Sequence, residues 1–174
     1  YLRLLENLMP SATTALYFVD STLPGVDALL AGLPVGAEVH LIAEGSDGLQ
    51  LLVDTLSGRT GVEAIHVLTH GSAGTLRLGS VTLDEGNVGD FAGQWASVGA
   101  ALTPDADLLV YGCDVGAGPA GQALVQQIAV FTGADVAASE DLTGAAALGG
   151  DWDLEVQTGH IEATPLAVPA YETL

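Results

Sequence analysis

Lysine is absent from the 174 residues, and arginine occurs only at Arg3, Arg59 and Arg77, so three cations face 22 acidic side chains. The net charge of −19 repels phosphate backbones and anionic lipid, which removes nucleic acid and charged membrane surfaces as expected partners. Long apolar runs are missing as well. No stretch reaches the roughly 18 uninterrupted apolar residues that a membrane-spanning helix needs. The opening YLRLLENLMP places Glu6 and Asn7 inside its apolar run and has no small-residue cleavage site, so it reads as a leader helix, or as an edge within a longer protein, rather than a signal peptide. Cysteine occurs once, at Cys113, which excludes an internal disulfide and a Cys-rich zinc site. A lone cysteine is then either a small buried hydrophobe or a thiol used in chemistry.

What is abundant is Ala, Val and Leu in short runs, within an apolar share of 49%. That is enough to bury the core of a single domain and excludes a disordered chain. ALYFVD (15–20), AEVHLIA (37–43), VEAIHVLTHG (62–71), ADLLVYGCDV (106–115) and ADVAAS (134–139) read as strands that are apolar on both faces. Between them lie helical patterns at 24–33, at 49–57, around Phe91, Trp95 and Val98 as far as about Leu102, and at about 119–131. TLRLGSVTL (75–83) reads as a hairpin turning at Gly79-Ser80, and GGDWDLEV (149–156) as a last strand or hairpin before a proline-rich exit. Alternating apolar strands and helices define an α/β fold, a mostly parallel sheet with helices on both faces. Ligands in such folds sit beyond the carboxyl ends of the strands.

His70 and Cys113 fall at two such ends, on the third and fourth strands. Cysteine catalysis needs a thiol that can act as thiolate and an imidazole that holds the proton, and two neighbouring strand ends can supply that pair. Gly71 follows the histidine and Gly112 precedes the cysteine, where close backbone approach is useful. The Gly71 and Cys113 amides are the expected oxyanion donors. The alternative at this point is a buried cysteine and a histidine satisfied by its turn.

THGSAGTLRLG followed by LLVYGCDVGAGPAGQALV resembles the His-Gly and Cys blocks of the caspase-like, or clan CD, cysteine peptidases. The ordered series ALYFVDS, DGLQLL, IHVLTHGSAGTLRLG, YGCDV, TGADVAAS and GGDWDLE is similar to a bacterial domain of unknown function, DUF4347, found in very large secreted repeat proteins and adhesins. The resemblance covers about residues 15–162, leaving 1–14 as a leader and 163–174 as an exit or linker. It implies a caspase-like sandwich, His70 as general acid/base, Cys113 as nucleophile, and Gly71 beside the Cys113 amide in the oxyanion hole. It also implies a polypeptide substrate, such as the parent chain or a surface neighbour, and a place on the exported or cell-surface part of a larger bacterial protein. A non-catalytic interaction or retention module on the same fold is the rival.

In the caspase-like peptidases the end of strand 1 helps form the pocket for the residue before the scissile bond. Asp20 there would favour a basic side chain in the substrate; the competing reading is that it caps the following loop. His66 and His40 stand mid-strand, where core histidines are expected, and His160 lies near the exit. Four scattered histidines give no zinc spacing, so no metal is assigned to them. Asp151 and Asp153 flank Trp152, and the readings there are a calcium site or a solvated acidic surface, without EF-hand spacing or a nonapeptide repeat.

Overall fold

The structure, a computed structural model, describes residues 14–174; apart from Thr14, the expected leader lies outside the described residues. Six strands form the central sheet: β1 (Ala15–Asp20), β2 (Glu38–Ile42), β3 (Val62–Leu68), β7 (Leu102–Tyr111), β8 (Asp135–Ala138) and β9 (Val156–Gln157). Their spatial order is β2-β1-β3-β7-β8-β9, parallel throughout except that β9 runs antiparallel to β8. A small antiparallel sheet of β4 (Gly71–Ser72), β5 (Thr75–Leu78) and β6 (Val81–Leu83) follows β3, and contains the expected hairpin.

Strand alternation divides the core in two. Leu16, Phe18, Ile65, Val67, Leu108 and Val110 point to one face. There they meet α2 (Gly48–Leu56), α3 (Ala92–Gly99) and α4 (Gly118–Thr132). α2 starts where Asp47 Oδ1 accepts from the Gln50 amide at 2.8 Å, and α4 has Pro119 in its first turn and left-handed Gly133 (φ 72°) at its end. On the other face Tyr17, Val19, Leu68, Leu109 and Tyr111 meet the short α1 (Val26–Ala31) and a largely irregular C-terminal stretch. Helices therefore cover both faces, but unequally. In that stretch Leu166, Val168 and Tyr171 are buried, so the segment read as an exit, 163–174, packs against the body of the domain.

Several strand boundaries differ from the sequence reading: β3 ends at Leu68 rather than 71 and β7 at Tyr111 rather than 115, so His70 and Cys113 stand just past their strands. β7 starts at Leu102 rather than 106, because its pairing with β3 is interrupted: Val62 faces Leu102, while Ala64 already faces Asp107. Pro104, which has no N–H to give a ladder, lies in that irregular stretch. Of the 149–156 region only its end becomes strand, while Thr143 and Asp151 make an isolated bridge. His40 is not a core residue. β2 is an edge strand, so His40 is half-exposed, with Nε2 2.9 Å from Glu38 Oε1. The Arg59 guanidinium, which grips both Glu38 oxygens, and His40 hold that carboxyl down at about 2. His66 is buried as expected, stacked at 4.5 Å between ring centres on Tyr17 and at 5.9 Å on Tyr111. Among the described residues no helix is long and apolar enough to cross a membrane.

Candidate active site

β3 and β7 are adjacent and parallel, and their last paired residues, Leu68 and Tyr111, face each other. The ladder runs one step further, with the Thr69 amide donating to the Tyr111 carbonyl at 3.0 Å. Beyond it the chains carry His70 and Cys113 into one cleft, lined also by Thr143, Trp152, Tyr171 and Leu174. The small sheet holds the histidine in place: the Thr69 hydroxyl donates to the Arg77 carbonyl, and the Arg77 amide donates to the His70 carbonyl at 3.2 Å.

The imidazole is oriented by a chain of polar groups from the end of β1. Asp20 Oδ1 accepts from the Thr22 amide at 2.8 Å and from the Thr22 hydroxyl at 2.7 Å. A threonine hydroxyl has one proton, and Asp20 takes it. His70 Nε2, 3.1 Å from Thr22 Oγ1, must then donate to that oxygen. The consequence is a defined tautomer, protonated at Nε2, with Nδ1 left as the basic nitrogen. Asp20 is 2% exposed and does not line the cleft; its carboxylate closes the turn after β1, the loop role set against the pocket role from sequence.

The Cys113 thiol is half-buried, with Sγ 4.0 Å from the Thr143 carbonyl oxygen. Asp114, immediately after it, has φ 59°, and is the one non-glycine residue with positive φ among the described residues. Its amide donates to the Asp141 carbonyl at 2.7 Å, and its own carbonyl accepts from Gly74 at 3.2 Å and Ala117 at 2.9 Å. Such an uncommon backbone conformation, fastened on both sides, is characteristic of functional turns.

The two glycines are needed for the approach of the two segments. A Cβ on Gly71 would strike the Val115 side chain and stand 2.7 Å from the Cys113 carbonyl oxygen. A Cβ on Gly112 would stand 3.2 Å from the Thr69 carbonyl oxygen. The Gly71 and Cys113 backbones thus lie side by side, as an oxyanion hole built from both would require. Gly71→Ala is expected to destabilise the domain by about 1–3 kcal/mol through overpacking, and to slow alkylation of Cys113. Urea melts and thiol-labelling rates of the two proteins check this, and an unchanged pair of values would mean that the segments have room to part.

Several residues in or beside the cleft were not identified from the sequence. Thr22 is an ordinary turn residue until its reach to His70 is seen. Trp152, read as packing, stands 6.0 Å from the Tyr111 ring and 5.9 Å from the Tyr171 ring, and faces the cleft. Tyr171 and Leu174 come from the supposed exit. They are anchored there by the Tyr171 hydroxyl and the Thr173 hydroxyl, which donate to the Pro24 carbonyl at 2.8 and 3.1 Å. The Ala145 amide also donates to the Thr173 carbonyl, at 2.9 Å.

A family model described as a domain of unknown function, DUF4347, matches residues 16–173. The chain belongs to the DUF4347 family. The match runs through the C-terminal stretch as well, in keeping with the burial of Leu166, Val168 and Tyr171 in this DUF4347 domain. A comparison with curated proteins returns no match.

Proposed function

We propose that this DUF4347 domain is a caspase-like cysteine endopeptidase that processes its own parent polypeptide or a neighbouring surface protein in an exported bacterial assembly. The observation that supports this reading best is the convergence of His70 and Cys113 in one cleft, with His70 Nε2 committed to Thr22 and Nδ1 left to accept a proton. Sheet order adds support, since the adjacent ends of β3 and β7 carry the histidine and the cysteine, as the resemblance to caspase-like peptidases implies.

In this reading Cys113 Sγ attacks the scissile carbonyl carbon and His70 Nδ1 takes the thiol proton. The tetrahedral oxyanion is met by the Gly71 and Cys113 amides. Its collapse breaks the C–N bond, the imidazolium returns the proton to the departing amine, and a thioester remains on Cys113. Water, deprotonated by the same imidazole, hydrolyses the thioester and regenerates the thiol. Thr22 and Asp20 keep the ring in the productive tautomer throughout. A basic-residue pocket at Asp20 is not part of the proposal, because its carboxylate is occupied by Thr22 and does not line the cleft.

The second reading, a non-catalytic interaction module, draws on the packing of Tyr171 and Leu174 along the cleft. The deciding experiment presents a peptide library to wild type and to Cys113→Ala and sequences the products by mass spectrometry. Cleavage by wild type alone supports the peptidase. No cleavage, together with no labelling of Cys113 by a peptidyl electrophile, leaves the interaction module standing.

Thr22→Val removes the hydroxyl while keeping the shape. It is expected to lower kcat/KM by roughly tenfold, a fraction of the 10²–10⁴ that general acid–base catalysis supplies. Thr22→Ser is expected to restore most of the loss. Equal rates in all three proteins would show that the ring is oriented by packing alone.

A further inference from the structure

A second cluster lies midway along β7 and at the start of β8, away from the cleft. Asp107 and Asp135 are register partners on those two strands, so their side chains stand next to each other on one face of the sheet. Glu162 reaches the same place from the C-terminal stretch, and one carboxylate oxygen from each of the three lies within 4.8 Å of the others. Adjacent carboxylates of one sign oppose folding unless something positive lies between them. The cations among the described residues are engaged elsewhere: Arg59 grips Glu38, and Arg77 Nε donates to the Gly79 carbonyl.

Clustered acids alone would be an ordinary acidic surface, but Asp107 is not on the surface. It is 1% exposed, and its Oδ1 is buried without a hydrogen-bond partner. Its Oδ2 is fully used, accepting from the Glu162 and Ala163 amides at 2.8 and 2.7 Å. A buried carboxylate oxygen with nothing to bond is costly, and a bound cation would remove that cost while also screening Asp135 and Glu162.

We propose that Asp107, Asp135 and Glu162 bind a calcium ion that fastens the 158–163 segment to the sheet. All three donors are hard oxygens without nitrogen or sulfur beside them, which selects an alkaline-earth cation over zinc or copper. Calcium tolerates irregular shells of six to eight oxygens at about 2.3–2.6 Å, so two such bonds bridge the observed oxygen separations. Burial falls from Asp107 through half-buried Asp135 to exposed Glu162, which leaves one side open for waters to complete the shell. Glu63 and Asp105 line the cavity beside Asp107 and Glu162 and raise the local negative potential. The His160 amide donates to Asp135 Oδ2 at 3.2 Å, so the ion would hold a loop already tied to both acids. Asp141, Asp151 and Glu155 also approach one another, but they are mostly exposed and include no buried unpartnered oxygen. The Asp151 group therefore carries no comparable argument.

The test is calorimetric titration of the EDTA-treated domain with calcium chloride, paired with thermal melts in calcium and in EDTA. One site with a dissociation constant near 10⁻⁴–10⁻³ M is expected, the range of extracellular calcium modules, with magnesium weaker. At a hundredfold excess over that constant the melting temperature should rise by about 5–10 °C. Glu162→Gln should abolish most of that rise. Glu162 is exposed and its side chain supports no backbone group, so this variant stays informative even if Asp107→Asn or Asp135→Asn fails to fold. Asp151→Asn and the distant Glu44→Gln, which remove the same charge, should keep the full rise. An absent rise in wild type, or a full rise in Glu162→Gln, overturns the proposal. A loss shared equally by Glu44→Gln would mean diffuse screening of the −19 charge and overturns it as well.

Discussion

Alkylation of Cys113 by iodoacetamide at neutral pH should be faster than that of a model thiol and should fall by roughly 10²-fold in His70→Ala, the lower end of what a positioned acid–base group supplies. Cys113 is the only cysteine in the chain, so a single mass shift reports the reaction without ambiguity. The thiol is half-buried and opens on the cleft that His70 also lines, the arrangement on which the expected acceleration rests. Cys113→Ala should abolish both labelling and cleavage while leaving the melting temperature close to that of wild type, because the side chain has no strong bond to lose. Its contact with the Thr143 carbonyl is long, at 4.0 Å. A wild-type rate equal to that of the model thiol, unaltered by His70→Ala, would sink the peptidase reading, whatever the geometry.

The second large effect is on stability against acid. Burial holds His66 down at about 4, against 6.5 for a free histidine. Its Nδ1 lies 3.3 Å from the Tyr111 hydroxyl, which also accepts from the Leu166 amide at 2.7 Å and so has its own proton free to give to His66. Between pH 6.5 and 4 the unfolded chain binds a proton at this position and the folded chain does not. Stability therefore rises with pH across that window: it is fully present above 6.5 and is lost as pH falls toward 4. The gap corresponds to about 3 kcal/mol. Tyr17 and Tyr111 stack on the ring and stay neutral in acid, while Glu63, Asp105 and Asp107 line the cavity beside it and are too few to offset its burial. Urea melts at pH 7 and pH 4 should show a loss in wild type that is smaller by about that amount in His66→Phe. Equal losses in the two proteins would place the acid sensitivity elsewhere.

The parts of the candidate site that were legible in the sequence are those encoded in continuous pattern. The run before Cys113 is the most apolar strand of the chain and the one before His70 is largely apolar, and a buried parallel strand has little alternative but to end where glycine and polar residues begin. The 75–83 hairpin was legible for the same reason, its turn marked by Gly79-Ser80. What was not legible depends on contacts between distant segments. Nothing in the sequence around Tyr171 shows that its hydroxyl reaches Pro24, and the stretch has too many prolines and too little period to look folded. Asp20 and Thr22 could be seen to make a turn, but the turn's target, His70, is supplied by the pairing of β1 with β3. Pairing of β7 with β8 likewise brings Asp107 beside Asp135, two acids that look unrelated along the chain.

The pairing of Leu68 with Tyr111 has one more consequence. His70 stands two residues past Leu68 and Cys113 two past Tyr111, so both chemistries leave the sheet in the same phase, on the face of α1 and the C-terminal stretch. Parity, not distance along the chain, brings them together. A slip of β3 against β7 by a single residue would turn one partner's side chains toward α2, α3 and α4 and leave the other facing the cleft alone. The β3–β7 ladder is thus also the gauge that keeps His70 and Cys113 in step, and an insertion at either strand end would desynchronise the pair even where the core absorbed it.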